Sequence, residues 1–102
     1  MARKRAVDNL SLDRWRSTDA ASVLLCVTEH ATQDRSFVPV VDPRTTRWHV
    51  SAGGVDFELL CTGNKFYDTR AGAGGGGAVD LVMHMLGVDF KHAVACLRTA
   101  GL

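Results

Sequence analysis

The sequence predicts an α+β domain with one N-terminal helix, a small antiparallel sheet of three to four strands, and two C-terminal helices packed on one face of that sheet. Three observations predict it. Apolar residues before position 34 recur at helical spacing. Residues 36–67 hold short β-branched and aromatic runs separated by turn signals. A glycine run, five glycines in the six positions 72–77, then leads into two segments of helical periodicity.

The elements follow in order. Residues 1–34 read as helical and polar-rich, with residues 1–16 a flexible basic stretch and Ser17-Thr18-Asp19 offering the helix N-cap. Ala20, Val23, Leu24, Val27 and Ala31 then fall on one helix face. Ser36–Val41 is β-branched and breaks at the turn Asp42-Pro43-Arg44-Thr45. Thr46–Ser51 resumes as a strand, and Gly53-Gly54 turns the chain. Val55-Asp56-Phe57-Glu58-Leu59 alternates with period two, which marks a strand with one wet face. Gly63-Asn64 turns again into Lys65-Phe66-Tyr67. Val79, Val82, Met83 and Leu86 keep helical spacing up to a C-cap at Gly87. Asp89 caps a last helix of Phe90, Ala93, Val94 and Leu97, with Gly101 just past its end.

Composition narrows the class. At 102 residues and 46% hydrophobic content the chain suits one domain, 1–102, whose core needs no metal on grounds of size. No apolar run approaches the ~20 residues that span a bilayer, and no apolar signal core follows the basic start, so neither membrane nor secretion is expected. Cys26, Cys61 and Cys96 stand 35 residues apart at each step. Three scattered cysteines suit a reducing cytoplasm better than a disulfide framework. The formal net charge of +1 is a weak electrostatic footprint for nucleic acid, so the distribution of charge matters more than its sum. Arg3, Lys4 and Arg5 cluster, as either a solvated terminus or a phosphate-binding arm, and Arg44 and Arg47 lie near Trp48.

The glycine run is not a phosphate loop by its chemistry. Such a loop needs Lys and then Ser or Thr after its last glycine, whereas Ala78 and Val79 follow Gly77. Gly74–Gly77 is expected to form a tight knuckle joining the last strand to the helix, without saturable ATP binding. Asp80, just inside that helix, suits the loop and first-turn amides and the helix dipole. No Ser or Cys stands in a nucleophile context beside a histidine, and the carboxylates are not paired, so enzymatic activity is not expected.

Lys65-Phe66-Tyr67, the glycine run, Ala78-Val79-Asp80-Leu81-Val82-Met83, the break at Gly87, and Val88-Asp89-Phe90-Lys91-His92-Ala93-Val94 together resemble the zinc-ribbon domain of bacterial and phage DNA primases. The resemblance covers residues 36–100 and is closest to zinc-less versions in plasmid and mobile-element proteins. The family holds zinc with an early Cys-x-x-His and a later Cys-x-x-Cys. Here the early site reads Val38-Pro39-Val40-Val41, and residues 67–70 hold no cysteine. His49 and Cys61 could meet across a hairpin, but structural zinc needs four ligands. No metal or other cofactor is expected.

In that family the sheet face with aromatic and basic residues is where template DNA is thought to lie. The resemblance therefore implies a single-stranded DNA-binding module in replication or transfer of a mobile element, with a replication or mobile-element protein as a further partner. By position it implies contacts from Lys65, Tyr67 and Arg70, to which Arg44, Arg47 and Trp48 are added as neighbours in sequence. Exposed, Trp48 would stack a base; buried, it would be core. Phe66 and Tyr67 alternate faces, so one belongs to the core and the other is available. The competing class is a protein-interaction or regulatory domain that kept the fold without DNA binding.

Overall fold

A computed structural model describes residues 9–102. Among these, the chain forms four helices and five strands: α1 (Asn9–Ser17), α2 (Ala20–Val27), β1 (His30–Gln33), β2 (Thr46–Ala52), β3 (Val55–Thr62), β4 (Lys65–Asp68), β5 (Ala73–Gly76), α3 (Ala78–Leu86) and α4 (Phe90–Thr99). The strands form one antiparallel sheet in chain order, β1-β2-β3-β4-β5. The chain is α+β, with a layout that corrects the expected one in strand count and in helix arrangement.

Two strands were not expected. α2 ends at Val27, because Thr28 turns extended (φ −104, ψ 160) and its hydroxyl closes the helix on the Leu24 carbonyl at 2.6 Å. Glu29 N–H then donates to Ser51 O, so the chain enters the sheet as β1, with Ala31 opposite Val50 rather than on a helix face. The glycine run is the other strand. Gly76, Gly75 and Gly74 pair with Lys65, Phe66 and Tyr67, so the expected knuckle is an edge strand lying along β4.

Two further expectations are corrected. The N-terminal helical region is two helices broken at Thr18-Asp19, and residues 9–16 are helical instead of flexible; residues 1–8, with Arg3, Lys4 and Arg5, lie outside the described residues. Ser36–Val41 is an unpaired loop, not a strand. Pro39 cannot donate to a ladder, and the place beside β2 is already taken by β1.

The hairpins place the site. Gly53-Gly54 (φ 58 and 77) makes the two-residue turn between β2 and β3, where both central residues need the left-handed region. The turn at Gly63-Asn64 ties the helices to the sheet: Ala20 N–H donates to Gly63 O (2.8 Å), Gly77 N–H to Asn64 O (2.9 Å), and Asn64 Nδ2 to Arg16 O (2.5 Å).

The alternation in β3 turns Phe57, Leu59 and Cys61 inward and leaves Glu58, Leu60 and Thr62 on the other face. On the inner side, Trp48, Val50 and Phe66 join Trp15 of α1, Val23 and Leu24 of α2, Leu81 and Val82 of α3, and Leu97 of α4 in one buried cluster. Full burial of such aliphatic side chains stabilises by about 1.5–3 kcal/mol each. Gly87 takes the left-handed C-cap of α3, and Asp89 caps α4 by accepting from His92 N–H (2.9 Å). Among the described residues, no helix is long and apolar enough to cross a membrane.

Candidate nucleic-acid interface

The outer face of the sheet is uncovered by helices, and register sets what it shows. Across β2 to β5, Arg47 lies opposite Leu60, Leu60 opposite Tyr67, and Tyr67 opposite Gly74; beside that row, Thr62 faces Lys65 and Lys65 faces Gly76. The edge strand presents hydrogens where other strands present side chains, and Tyr67 occupies the space. A Cβ at Gly74 would stand 3.1 Å from Tyr67 Cδ1, and one at Gly72 would stand 3.9 Å from its hydroxyl. The phenol thus lies across a glycine bed, 46% exposed.

A groove of about 620 Å³ opens over this bed, with Leu60, Thr62, Lys65 and Tyr67 on the sheet side and Val41, Asp42 and Thr45 on the loop side. Its surface is largely apolar. Lys65 is exposed at its margin and has no ion pair among the described residues.

The other cations expected at the site are engaged. Glu58 holds Arg47 Nη2 at 2.9 Å and Arg70 Nη2 at 3.7 Å, and makes a short contact to His49 Nδ1. Burial pushes the Glu58 carboxyl up, but hydrogen bonds from Arg47 and His49 outweigh it and hold the group below the usual carboxylate range. Arg70 keeps 61% of its side chain exposed and can turn toward a ligand. Arg44 is held by Asp42 through Nε (3.2 Å) and Nη2 (2.9 Å), so this pair adds little net field at the rim of the groove.

Of the residues expected at the site, Lys65 and Tyr67 line the groove, Arg47 and Arg70 lie on the same open face beside Glu58, and Arg44 sits on the adjoining loop. Trp48 does not. It is 7% exposed on the inner face, with its indole N–H donated to Thr46 Oγ1 at 2.8 Å. It is a core residue and offers no stacking surface. His49 and Cys61 cannot meet, because His49 is on the open face and Cys61 is buried on the inner one. Desolvation, helped by the charge of Asp19, pushes the Cys61 thiol up to about 12, which makes it inert. No group of three or more His, Cys, Asp or Glu is placed to hold a metal ion among the described residues. Asp80 is exposed in the first turn of α3 and makes no hydrogen bond to the glycine-run amides among the described residues.

One constellation was missed. Asp68, 6% exposed, points inward from the end of β4; its Oδ2 lies 2.7 Å from His84 Nε2, and its Oδ1 accepts from Arg70 N–H and Ala71 N–H at 3.0 Å each. His84 is wedged between Phe57 and Phe66, with ring centroids 6.0 and 5.5 Å away. Burial pushes the Asp68 carboxyl up, while the His84 bond and the two amides more than compensate and hold it low. The pair fixes the turn that carries Arg70 and launches β5. Its signal was the period-two spacing from Phe66, which places Asp68 on the inner face.

No family profile matches the chain, and no solved structure matches it. Over 41 residues it is 49% identical to a protein of Zymomonas mobilis subsp. mobilis described as "65 kDa protein"; the stretch is 40% of this chain and 7% of that protein's length, and the description states no activity.

Proposed function

We propose that the open sheet face binds single-stranded DNA, as a non-catalytic module acting in replication or transfer of a mobile element. The observation that carries this reading is Tyr67. Its ring lies half-exposed on a glycine bed in an apolar groove, with Lys65 at the margin and Arg70 within reach on the same face. Aromatic platforms beside mobile cations are how strand binders hold bases and phosphates without reading sequence. Lys65 supplies charge without first losing a partner. Arg47 must give up part of its bond to Glu58, so it contributes less.

Titrating labelled single strands and duplexes by fluorescence anisotropy at two salt concentrations tests the reading. Tyr67→Ala is expected to weaken single-strand binding by about 1–3 kcal/mol with an unchanged salt slope, because stacking releases no counterion. Lys65→Ala with Arg70→Ala should instead flatten the slope by about 0.7 for each phosphate that is no longer neutralised. Absence of wild-type binding at low salt, up to several hundred micromolar protein, defeats the proposal. Binding that ignores all three substitutions moves the site off this face, with Arg3, Lys4 and Arg5 the next place to test.

A further inference from the structure

The turn from β4 to β5, residues 69–72, carries Arg70 on the open face, yet it is held from the opposite side of the sheet. Thr69 N–H donates to the Glu58 carbonyl at 3.1 Å and Gly72 N–H to the Asp68 carbonyl at 2.8 Å, both main-chain bonds. The two amides between them, those of Arg70 and Ala71, have the Asp68 carboxylate as acceptor, through Oδ1. What aims that carboxylate is His84 on α3, whose Nε2 lies 2.7 Å from Oδ2. The carboxyl is held below its usual range, so it is charged and only accepts, which puts a proton on His84 Nε2. The ring is itself fixed: Phe57 of β3 and Phe66 of β4 flank it, and Leu81, Val82 and Met85 bury the helix that carries it.

We propose that His84 is a positioning residue for the open face: through Asp68 it holds the turn that aims Arg70 and sets β5 down as the bed of Tyr67. The inference rests on the open face being the single-strand site, and it assigns part of that site's geometry to a helix on the other side of the sheet. The Asp68 side chain is 8% exposed, so without His84 its Oδ2 becomes an unpartnered buried charge. The carboxylate then turns toward water, and the Arg70 and Ala71 amides lose their acceptor. The side-chain contacts of Arg70, 3.7 Å to Glu58 Oε2 and 3.5 Å to the Asp56 carbonyl, are too long to hold the turn in its place. Gly72 follows directly with φ 68, and a Cβ there would stand 3.9 Å from the Tyr67 hydroxyl. A shift of the turn therefore moves the bed together with Arg70.

Two variants separate positioning from packing. His84→Leu fills the space between the two phenylalanines without a donor, and His84→Gln returns an N–H near the place of Nε2. In the folded, ligand-free protein, His84→Leu is expected to speed amide hydrogen exchange at Arg70 and Ala71 at least about tenfold, the weight of one hydrogen bond to a charged group. Thr69, whose acceptor is main chain, should not follow, and His84→Gln should bring both amides back toward wild type. In single-strand titrations, His84→Leu should lose the share of the salt slope that Arg70→Ala loses, about 0.7 for one phosphate, and adding Arg70→Ala to it should remove nothing more. Unchanged exchange at Arg70 and Ala71 in His84→Leu overturns the proposal. Faster exchange there with Arg70's share of the salt slope intact overturns it too, and so does a Gln variant no better than Leu. Nitrogen NMR of the wild-type protein needs no variant: a neutral His84 ring protonated on Nδ1 overturns the proposal even where His84→Leu does not fold. Wild-type protein that binds no single strand defeats the open-face reading itself, and the exchange result tells that failure apart from a failure of the hold on the turn.

Discussion

Gly74→Ala is expected to destabilise the protein by about 3 kcal/mol, at the upper end of what a single overpacking substitution causes. The added Cβ would stand 2.5 Å from the Phe66 carbonyl oxygen and 3.2 Å from Tyr67 Cα. Both neighbours are backbone, so no rotamer change relieves the contact, and β5 must lift away from β4. Gly76→Ala is the internal control. Its Cβ would meet only Lys65 Cγ at 3.8 Å, and its φ is not positive. That variant should stay within about 1 kcal/mol of wild type, with a stiffer unfolded chain even favouring stability. Urea unfolding of the two variants measures the difference directly. Equal midpoints would mean that β5 does not lie against β4 as described. Because β5 is the bed of Tyr67, Gly74→Ala should also weaken any binding at the open face, under conditions where the protein remains folded.

Asp68→Ala should cost about 3 kcal/mol, since it strips three donors of one buried acceptor: the His84 ring and the amides of Arg70 and Ala71. Asp68→Asn keeps an acceptor oxygen for the amides and should lose less. The pH dependence has a definite sign. The Asp68 carboxyl is held below its unfolded value of about 3.9, so its contribution is complete above that pH and disappears as pH falls through the folded pKa. Wild-type stability should therefore decline below about pH 4, and more steeply than that of Asp68→Asn. Identical acid limbs in the two proteins would show that the carboxylate is not carrying the turn.

What the sequence shows of this fold is what is decided locally. Gly53-Gly54, the alternation from Val55 to Leu59, the C-cap at Gly87 and the cap at Asp89 each depend on a few neighbouring residues, and each is where the pattern places it. The failures needed knowledge of partners. His30–Gln33 has four residues and no hydrophobic alternation, so only its pairing with β2 identifies it as a strand. The glycines of β5 have no side chains to alternate. Ser36–Val41 shows the reverse case: β-branched residues prefer a pleated, half-buried surface, and here no neighbour supplies one. At the site, Arg47, Lys65 and Tyr67 share a face because parity along each strand puts them there. The same parity sends Trp48 inward with Val50. The alternation of Trp48 and Val50 against Arg47 and His49 sets two faces apart, but only the helices packed on one of them decide which is buried. The grip of Glu58 on Arg47, His49 and Arg70 was not visible in the sequence, because Arg70 reaches it only through the fold.

The aromatic side chains divide between the two sides of the sheet in a way that makes the chain self-reporting. Tyr67 is the sole tyrosine, on the open face, while both tryptophans, Trp15 and Trp48, are 1% and 7% exposed in the core. Phenol chemistry such as nitration therefore modifies one known position, and any ligand seated there shields it. Indole emission responds instead to the integrity of the packed interior. Occupancy and unfolding can then be followed as separate optical signals in one unlabelled sample, with tyrosine-to-tryptophan energy transfer across the thickness of the sheet as a third.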